Sequence, residues 1–531
     1  MAKEAGRTVL PQSLTHPPVR QVEQRGNNDA IAMSYCLIRK HQDKCICEGQ
    51  PACSLGHMLD AQPGEEADGI YANWRWDGSS LIVSNDRYGM FPVFYTSTAG
   101  TFGISSSIGE LLHEGAPADL DVDGLCVFLR LGFFLADKTP FKYVRALPPV
   151  SRCRWQDGTL RLDEGHLTVT ERTTDRDSAI DQYVERFRHA VRRRFPAEGK
   201  NLLFLTGGRD SRHILFEMLR TDTKPDLCLT SNGHPSTSDE DVRVARQLAE
   251  RFDLSHATAS APSERLTYEQ RKNEVVSFSS LEHGWYLVLG DIIRREGWDN
   301  VYEGIGGDVL SAGLFMSKRK LELYRKERYE ELANLLMPLE REVLLEQMVE
   351  PELMRRLPRQ QAVALLAEEL RRYRDWPNPI AAFYFWNRTR RSIALCPFAI
   401  CHGAKHVYVP YMDKDVFDLL ASLPGEMMVD TTFHDETIAR AFPEHKNIPY
   451  AAKGGKRRRS PLHQMRTLKD LLIFVHRHQN PLLKRGTIRR ILRTAVDKRY
   501  RNSVAGFTNL IVYLTQIGQY TDNSWLTEQA A

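Results

Sequence analysis

The pattern of apolar and polar positions is most informative around residue 205. Residues 202–205 read L-L-F-L, a short apolar run that is typical of a strand buried inside a parallel sheet. From Ile214 to Leu219 the apolar residues recur on one face of a helix. Thr206, Gly207 and Gly208 lie between the two patterns. The sequence therefore predicts a strand, a glycine turn and a helix in direct succession.

This glycine turn has the chemistry of a phosphate site. Backbone N–H groups that carry no side chains nearby can surround phosphate oxygens, and the N-terminus of the next helix adds partial positive charge. Asp210 and Ser211 follow the glycines and offer a carboxylate for Mg2+ and a hydroxyl donor. The spacing is not the G-x-x-x-x-G-K-S/T of a Walker loop. For this segment alone, the alternative is an ordinary turn with a helix cap.

A second glycine loop follows an apolar strand end at Val301 and Tyr302. It reads E-G-I-G-G-D over residues 303–308. Loops that leave the same ends of parallel strands converge on one crevice, which is where open α/β sheets bind ligands. We therefore expect Asp308 and Asp210 to share one Mg2+ that is bound to a triphosphate.

Strand and helix patterns divide the chain into regions. Residues 1–27 are polar and contain prolines, which predicts a loose N-terminal segment. Residues 28–168 are rich in strand patterns with Gly and Asp turns. Strands and helices alternate from residue 178, and the pattern is mostly helical from about residue 316. The order predicts a β-rich domain followed by an α/β domain with a helical extension.

The composition is that of an ordinary globular protein. The 531 residues favour two or more domains, with 26% charged and 42% hydrophobic residues. Nine scattered cysteines do not suggest a disulfide framework. No apolar run reaches the length of a membrane span, and the start lacks the apolar stretch of a signal peptide. These features predict a cytoplasmic protein.

Positive charge is concentrated near the C-terminus. Residues 453–501 contain sixteen Lys or Arg against two Asp. A solvated helical face explains such a segment, and so does contact with an anionic membrane surface or a phosphorylated carrier. Nucleic acid is the less favoured partner. A homodimer is a further open alternative.

Several segments, in the same order along the chain, resemble the asparagine synthetase family, which includes beta-lactam synthetases and lasso-peptide cyclases. T-G-G-R-D-S at 206–211 is similar to the family's S-G-G-x-D-S loop, and residues 304–308 are similar to its Mg-binding glycine loop. V-P-Y-M-D at 409–413 resembles V-P-F-L-D. N-D-R-Y-G-M-F-P-V-F-Y at 85–95 resembles a motif of class II glutamine amidotransferases.

The resemblance implies a fold and a domain layout. The expected fold class is α/β, with an N-terminal Ntn-type, β-rich, sandwich-like domain and a C-terminal ATP-pyrophosphatase (adenine nucleotide alpha hydrolase-like) domain with a parallel sheet. The implied bounds are 28–168 for a degenerate glutamine amidotransferase-like domain and 178–465 for the synthetase-like domain. Residues 466–531 form the basic helical extension in this layout.

The resemblance also implies a reaction with ATP and Mg2+. A carboxylate becomes an acyl-adenylate with release of pyrophosphate, and ammonia or an amine then attacks to give an amide. A lysine of a segment after V-P-F-L-D stabilises the charge, and Lys453 is the candidate here. The implied metal ligands are Asp210 and Asp308, and the implied nucleotide contacts are Leu205, Thr206, Gly207, Gly208, Asp210, Ser211, Thr230 and Gly306.

Three departures from the family pattern bear on the substrate. An N-terminal cysteine is the nucleophile of the glutaminases, and neither the start of this sequence nor the Cys36 segment has the expected Cys-Gly pair. Ile305 stands where relatives have Glu or Tyr, so another group must accept a proton. Glu303 is one candidate base and faces solvent in the alternative reading. His406 is the other, with a packed core histidine as the alternative.

Together these observations predict an amide-forming ligase without its own glutaminase activity. The acid is a small molecule, a saccharide such as a uronic acid, or a peptide side chain. Two alternatives stay open: a catalytically inactive nucleotide-binding scaffold, and a glutamine-hydrolysing asparagine synthetase.

Overall fold

The computed structural model describes residues 34–521 except 43, 60–66, 166, 197, 233–239, 261–263, 452–460, 479 and 497–503. The predicted loose segment at 1–27 and the candidate Lys453 lie outside the described residues. So does the start of the helix that the sequence predicts from Ser238.

Ten strands of the N-terminal region form two antiparallel sheets. The strands are β1 (Tyr35–His41), β2 (Lys44–Gly49), β3 (Ala52–Leu59), β4 (Asp68–Trp76), β5 (Ser80–Asn85), β6 (Phe94–Thr98), β7 (Thr101–Ser105), β8 (Val144–Ala146), β9 (Ser151–Gln156) and β10 (Thr159–Glu164). One sheet has the order β2-β1-β7-β6-β8, and the other has the order β10-β9-β5-β4-β3.

The inner faces of these sheets share one apolar core. Alternate residues of β1 and β7 pack against alternate residues of β4, β5 and β9, as expected for strands with one buried face. Trp155 is fully buried at the centre of this layer. The predicted β-rich sandwich is therefore present, and the two strands predicted around Gly78 are β4 and β5.

The second region contains a parallel sheet of five strands. They are β11 (Asn201–Phe204), β12 (Leu227–Ser231), β13 (His256–Ala259), β14 (Asn300–Tyr302) and β15 (His406–Tyr408). The order is β13-β12-β11-β14-β15, and every neighbouring pair is parallel. The chain moves outward from β11 to β13 and then returns to the other side of β11. The carboxyl ends of β11 and β14 thus border a topological switch point.

Helices cover both regions and fill the C-terminal third. They are α1 (Ile108–His113), α2 (Val122–Leu131), α3 (Arg176–Arg192), α4 (Asp210–Arg220), α5 (Glu240–Arg251), α6 (Arg265–Val275), α7 (Leu287–Glu296), α8 (Gly307–Leu310), α9 (Lys318–Arg325), α10 (Tyr329–Leu336), α11 (Leu339–Met348), α12 (Pro351–Arg356), α13 (Arg359–Arg371), α14 (Pro379–Phe383), α15 (Lys414–Ala421), α16 (Phe433–Ala441), α17 (Pro461–Arg477), α18 (Thr487–Val496) and α19 (Val504–Tyr520). Helix α14 continues as a π-helical segment, Tyr384–Ile393.

Buried ion pairs join the two regions. Arg194, after α3, donates to Asp413 Oδ2 at 2.5 Å and to Asp68 Oδ2 at 3.1 Å. All three side chains are less than a tenth exposed. Removal of one partner from such a network leaves a buried charge without compensation. The Asp of V-P-Y-M-D is therefore an interdomain anchor as well as the N-cap of α15.

The last helices are partly core elements. Ile511 to Leu514 of α19 are fully buried, and Tyr513 OH donates to the carbonyl of Phe278 at 3.0 Å. Gln516 accepts a hydrogen bond from Asn273 at 2.7 Å. The predicted basic extension thus ends in an apolar helix that packs inside the protein. Among the helices of the described residues, none is long and apolar enough to cross a membrane.

Candidate active site

The glycine turn after β11 is closed by its own hydrogen bonds. The amide of Thr206 donates to Ser211 Oγ at 3.0 Å, and the amide of Gly208 donates to Thr206 Oγ1 at 3.2 Å. The amide of Gly207 donates to Asp241 Oδ1 on α5 at 3.2 Å. Thr206 is exposed, whereas Ser211 is buried. The turn is a fixed loop with one polar edge open to solvent.

Helix α4 begins directly at this turn. Asp210 is its first residue, and the side chain of the N-cap residue Arg209 makes no capping hydrogen bond. First-turn amides have no partner inside the helix, and together with the helix dipole they favour an anion. This geometry fits the phosphate site that the sequence predicts.

The second glycine loop packs against Asp210. It begins at Glu303 after β14 and ends at Gly307, the first residue of α8. A Cβ on Gly307 would lie 2.6 Å from Asp210 Oδ1, and a Cβ on Gly304 would lie 2.8 Å from Asp210 Cβ. A larger residue at either position would push the aspartate away. The two loops that the sequence expects to converge therefore do meet at one carboxylate.

A buried polar layer lies beneath Asp210. His434 is fully buried, and its ring contacts Ser311 Oγ at 3.1 Å and His213 Nδ1 at 3.2 Å. Tyr411 OH donates to the backbone carbonyl of Asp210 at 3.1 Å. His434 Nδ1 lies 3.3 Å from Asp210 Oδ1, but that oxygen is buried without a hydrogen-bond partner among the described residues. The layer holds the aspartate and leaves one oxygen for another ligand.

Three carboxylates influence one another in this crevice. Burial, followed by the charge of Asp210, raises the pKa of Asp308 to about 6, while the Arg388 guanidinium opposes the rise. Burial also raises the pKa of Glu303 to about 8, and the charges of Asp210 and Asp308 add to the effect. Carboxyls that repel each other in this way gain from a bound cation.

The donor set fits Mg2+ held jointly with phosphates. Two carboxylates offer hard oxygen ligands, and one of them has an unsatisfied buried oxygen. Among the residues that the structure describes, no group of three or more His, Cys, Asp or Glu could hold a metal by itself. Mg2+ ordinarily uses one or two carboxylates and completes its coordination with phosphate and water. Asp210 and Asp308 are residues of this kind.

A strap from the C-terminal part of the chain lies over the turn. The amide of Ala451 donates to the carbonyl of Gly207 at 3.0 Å. Arg212, which is 1% exposed, donates to the carbonyls of Ile448 and Pro449, each at 2.8 Å. A Cβ on Gly207 would lie 2.5 Å from the Ala451 Cβ. Glycine at 207 thus permits the close approach of the strap.

Arg209 also belongs to this strap contact. Its guanidinium donates to both oxygens of Asp435, and it lies 5.1 Å from the ring centroid of Tyr450. The arginine in the glycine turn is therefore paired with a carboxylate of α16. Lys453 follows the strap in the sequence, but it lies outside the described residues.

Other predicted nucleotide contacts have structural duties. Leu205 is fully buried, and its carbonyl accepts a hydrogen bond from Thr230 Oγ1 at 2.7 Å. Thr230 is 1% exposed, and its hydroxyl also contacts His256 Nε2 at 2.9 Å. Gly306 is buried with a φ of 92°, and a side chain there would collide with Met412. These three residues shape the crevice from beneath.

His406 lies at the opposite end of the sheet from the glycine loops. It is the first residue of β15 and pairs with Asn300, the first residue of β14. Its Nδ1 contacts Asn300 Oδ1 at 3.2 Å, and its ring stacks on Tyr408 at 5.6 Å. His57 approaches it edge-on from β3 at 6.2 Å. Glu303 follows β14 at the other end of the strands, so this placement favours the packing alternative for His406 over a role as a base.

Cys36 lies in the core between the N-terminal sheets. It is fully buried in β1, and its Sγ is 3.7 Å from Cys47 Sγ. The contact with Cys47 and burial both raise the pKa of the Cys36 thiol. A nucleophilic cysteine needs the opposite, an accessible thiol with a lowered pKa.

Two residues near the carboxylates were not among the sequence candidates. His434 is on α16, more than two hundred residues after Asp210, and Arg388 is on the π-helical segment. Neither lies in a motif that predicts a role. The only signal was the unusual density of arginine in N-R-T-R-R at 387–391.

The fold and the site define a class of protein. It is an α/β protein with two glycine loops and paired carboxylates at the switch point of a parallel sheet, joined to an antiparallel sandwich. The family model described as Asparagine synthase matches residues 182–500, and the one described as Glutamine amidotransferase domain matches residues 58–164. The chain belongs to the asparagine synthase family. The predicted family and fold class are confirmed, and membership indicates ATP-dependent amide formation.

One relative is asparagine synthetase [glutamine-hydrolyzing] 3 of Bacillus subtilis (strain 168). It is 28% identical over 158 residues, which are 28% of this chain and 25% of the relative. The chain thus matches about a quarter of that relative's length.

Two solved structures were also matched. One is titled as the allosteric regulatory enzyme of purine biosynthesis, with 9% identity over 43% of this chain and 62% of that chain, and a TM-score of 0.17. The other is glutamine phosphoribosylpyrophosphate amidotransferase from B. subtilis with ADP and GMP, with 10% identity over 42% and 47% and a TM-score of 0.14. TM-scores this low give no information about the fold of this chain.

Proposed function

We propose that this protein is an ATP-dependent, AMP-forming carbon–nitrogen ligase that adenylates a carboxylic acid and transfers the acyl group to ammonia or an amine. The observation that carries the proposal is the contact between the two glycine loops at Asp210. Gly304 and Gly307 give the aspartate room, and Asp308 follows on the same short helix. The combination suits a polyphosphate and a divalent cation at one point.

The turn and the helix start would hold the polyphosphate of ATP. The edge at Thr206 and Gly208 and the first-turn amides of α4 supply donors, and Ser211 Oγ keeps the turn closed. Asp210 and Asp308 would hold Mg2+, which neutralises phosphate charge when bound. The residues of the chain thus keep the leaving pyrophosphate fixed and make the α-phosphorus accessible to a carboxylate.

Glu303 is our candidate for the group that accepts a proton from the amine. It is only partly buried, at the mouth of β14, and its carboxyl has a pKa raised to about 8. A base with a pKa near the working pH is the most useful kind. Ile305, which stands two residues later, is 5% exposed and has no group that could serve.

Lys453 remains our candidate for the cation that stabilises charge on the adenylate. The support is indirect. Ala451 is hydrogen-bonded to Gly207 of the turn, and two further residues of chain reach at most about 7 Å. A lysine side chain attached so close to the turn can approach the phosphate site.

We infer that free ammonia or an amine, and not glutamine, supplies the nitrogen. The support is the burial of Cys36 and the raised pKa of its thiol. The N-terminal sandwich is then a structural partner of the synthetase region through Asp68 and Arg194. The acid is a small molecule, a saccharide or a peptide carboxylate.

Trapping with hydroxylamine tests this proposal. Protein, Mg2+ and ATP are incubated with pools of amino acids, uronic acids or peptides, and the hydroxamates and nucleotides are identified by mass spectrometry. We expect hydroxamate and AMP from one pool, and neither product with Asp210→Asn. Formation of ADP and phosphate would contradict the AMP-forming mechanism. Tight ATP binding without any product would support the inactive scaffold.

A further inference from the structure

A cation rests on an aromatic stack beside the carboxylates. The guanidinium carbon of Arg388 lies 4.9 Å from the ring centroid of Phe315, and Phe315 stacks on Tyr384 with centroids 4.1 Å apart and an interplanar angle of 17°. Tyr384 is buried, whereas Arg388 and Phe315 are partly exposed. Arginine prefers such flat aromatic support, which leaves the edge of its fork open to a ligand.

The loop after α8 is folded to present Phe315 in this position. The amide of Leu314 donates to the carbonyl of Asp308 at 3.0 Å, and the amide of Met316 donates to that of Gly313 at 3.0 Å. Phe315 itself has a φ of 68°, a left-handed conformation that is rare for a bulky residue. Strained backbone of this kind is typical of ligand sites. The tight turn links the aromatic shelf directly to the carboxylate of Asp308.

The Arg388 guanidinium differs from its neighbours in having no acceptor. Arg390 donates to the carbonyl of Leu147 at 2.7 Å, and Arg391 donates to that of Lys138 at 2.7 Å, both in the N-terminal region. Among the described residues, none accepts a hydrogen bond from Arg388 or forms an ion pair with it. The π-helical segment thus turns two arginines into the interdomain contact and one toward the crevice. A second cation, Lys320 Nζ, lies 5.9 Å from the Tyr384 ring.

We propose that Arg388 binds a second, non-reacting oxyanion of the acid substrate. The substrate class is therefore an acid with two anionic groups, either a dicarboxylic acid or a phosphorylated acid. The inference rests on the proposed function and names the substrate class of that site. The shared chemistry is a planar or trigonal oxyanion that accepts two parallel N–H bonds from the guanidinium fork.

Two considerations favour the non-reacting group. The reacting carboxylate loses its charge on adenylation, so a fork that held it would stabilise the ground state and slow the reaction. The phosphates of ATP already have donors in the glycine turn and at the start of α4. Arg388 lies on the other side of Asp308, since the π-helical segment packs against α8.

Calorimetric titration of anions tests the proposal. The probes are glutarate, its half-amide glutaramate, which has one charge fewer, and inorganic phosphate. They are titrated into the full-length protein with Mg2+ and α,β-methylene-ATP. We expect glutarate to bind at least about tenfold more tightly than glutaramate, the preference to vanish in Arg388→Gln, and Arg388→Lys to be intermediate. Arg319→Gln is the matched control, because it removes an exposed cation from the neighbouring helix α9.

Each outcome has one meaning. An Arg388-dependent preference for glutarate or phosphate supports the subsite and distinguishes a carboxylate from a phosphate group. Anion binding that is lost when α,β-methylene-ATP is present assigns Arg388 to the nucleotide and overturns the proposal. Equal affinities in wild type and Arg388→Gln, or no binding in wild type, overturn it as well. If the subsite binds anions but no acid pool yields a hydroxamate, the subsite stands and the proposed function fails.

Discussion

Replacement of Gly307 by alanine should separate stability from activity. The new Cβ would lie 2.6 Å from Asp210 Oδ1, and an ordinary contact begins at 3.4 Å, so the carboxylate must move by about 0.8 Å. Overpacking of this kind costs about 1–3 kcal/mol, while alanine at a helical position recovers up to about 1 kcal/mol. The free energy of unfolding should therefore fall by no more than about 2 kcal/mol. A misplacement near 1 Å at a reacting group costs about a hundredfold in rate.

The assay compares adenylation rates with thermal unfolding for Gly307→Ala and a matched control. Gly109→Ala introduces the same methyl group in helix α1, where the nearest atoms lie 3.6 and 3.7 Å away. We expect the control to retain full activity and the Gly307 variant to lose about two orders of magnitude. Normal activity in a folded Gly307→Ala protein would show that the position of Asp210 does not matter, and the site assignment would be wrong.

Three further predictions follow from the same site. Gly207→Ala should displace the strap at Ala451 and expose the segment after it to limited proteolysis, whereas unchanged cleavage would show that the strap does not depend on this contact. Asp308→Asn should abolish acid-dependent AMP formation by at least about a hundredfold, with the fold retained by circular dichroism. Folding favours the protonated form of Glu303, so its contribution to stability is present below pH 4.5 and is lost as the pH rises through about 8. The metal-free unfolding temperature of Glu303→Gln should therefore fall less between pH 6 and 9 than that of wild type, and parallel curves would refute the raised pKa.

Local patterns in the sequence were sufficient for the centre of the site. The strand, turn and helix at 202–219 and the glycine loop at 303–308 each depend on short-range rules about buried strands and helix starts. Their convergence followed from the geometry of parallel sheets, in which loops at the carboxyl ends share one edge. Asp210 and Asp308 were predictable for this reason.

The supporting residues depend on contacts that no local pattern encodes. His434 reaches the base of Asp210 from a helix more than two hundred residues away, and Arg194 links Asp68 with Asp413 across the two regions. Arg388 is turned toward the crevice by a π-helical segment, whose register periodicity rules do not predict. Distant pairings of this kind are set by tertiary packing.

His406 illustrates the limit of reasoning from a motif alone. A three-residue strand has a carboxyl end at the crevice and an amino end away from it, and the sequence does not say which end a histidine occupies. The register of β15 with β14 aligns His406 with Asn300, at the amino end. Packing against His57 and Tyr408 then explains why a histidine is tolerated there.

Exchange of labelled pyrophosphate into ATP tests the central claim most directly, because it reports formation of the acyl-adenylate without need of the amine. The protein is incubated with Mg2+, ATP, pyrophosphate and each acid pool, in parallel with Asp210→Asn. The account predicts exchange that depends on one pool containing acids with two anionic groups and that is absent in the variant. Exchange at the wild-type rate in Asp210→Asn would contradict it.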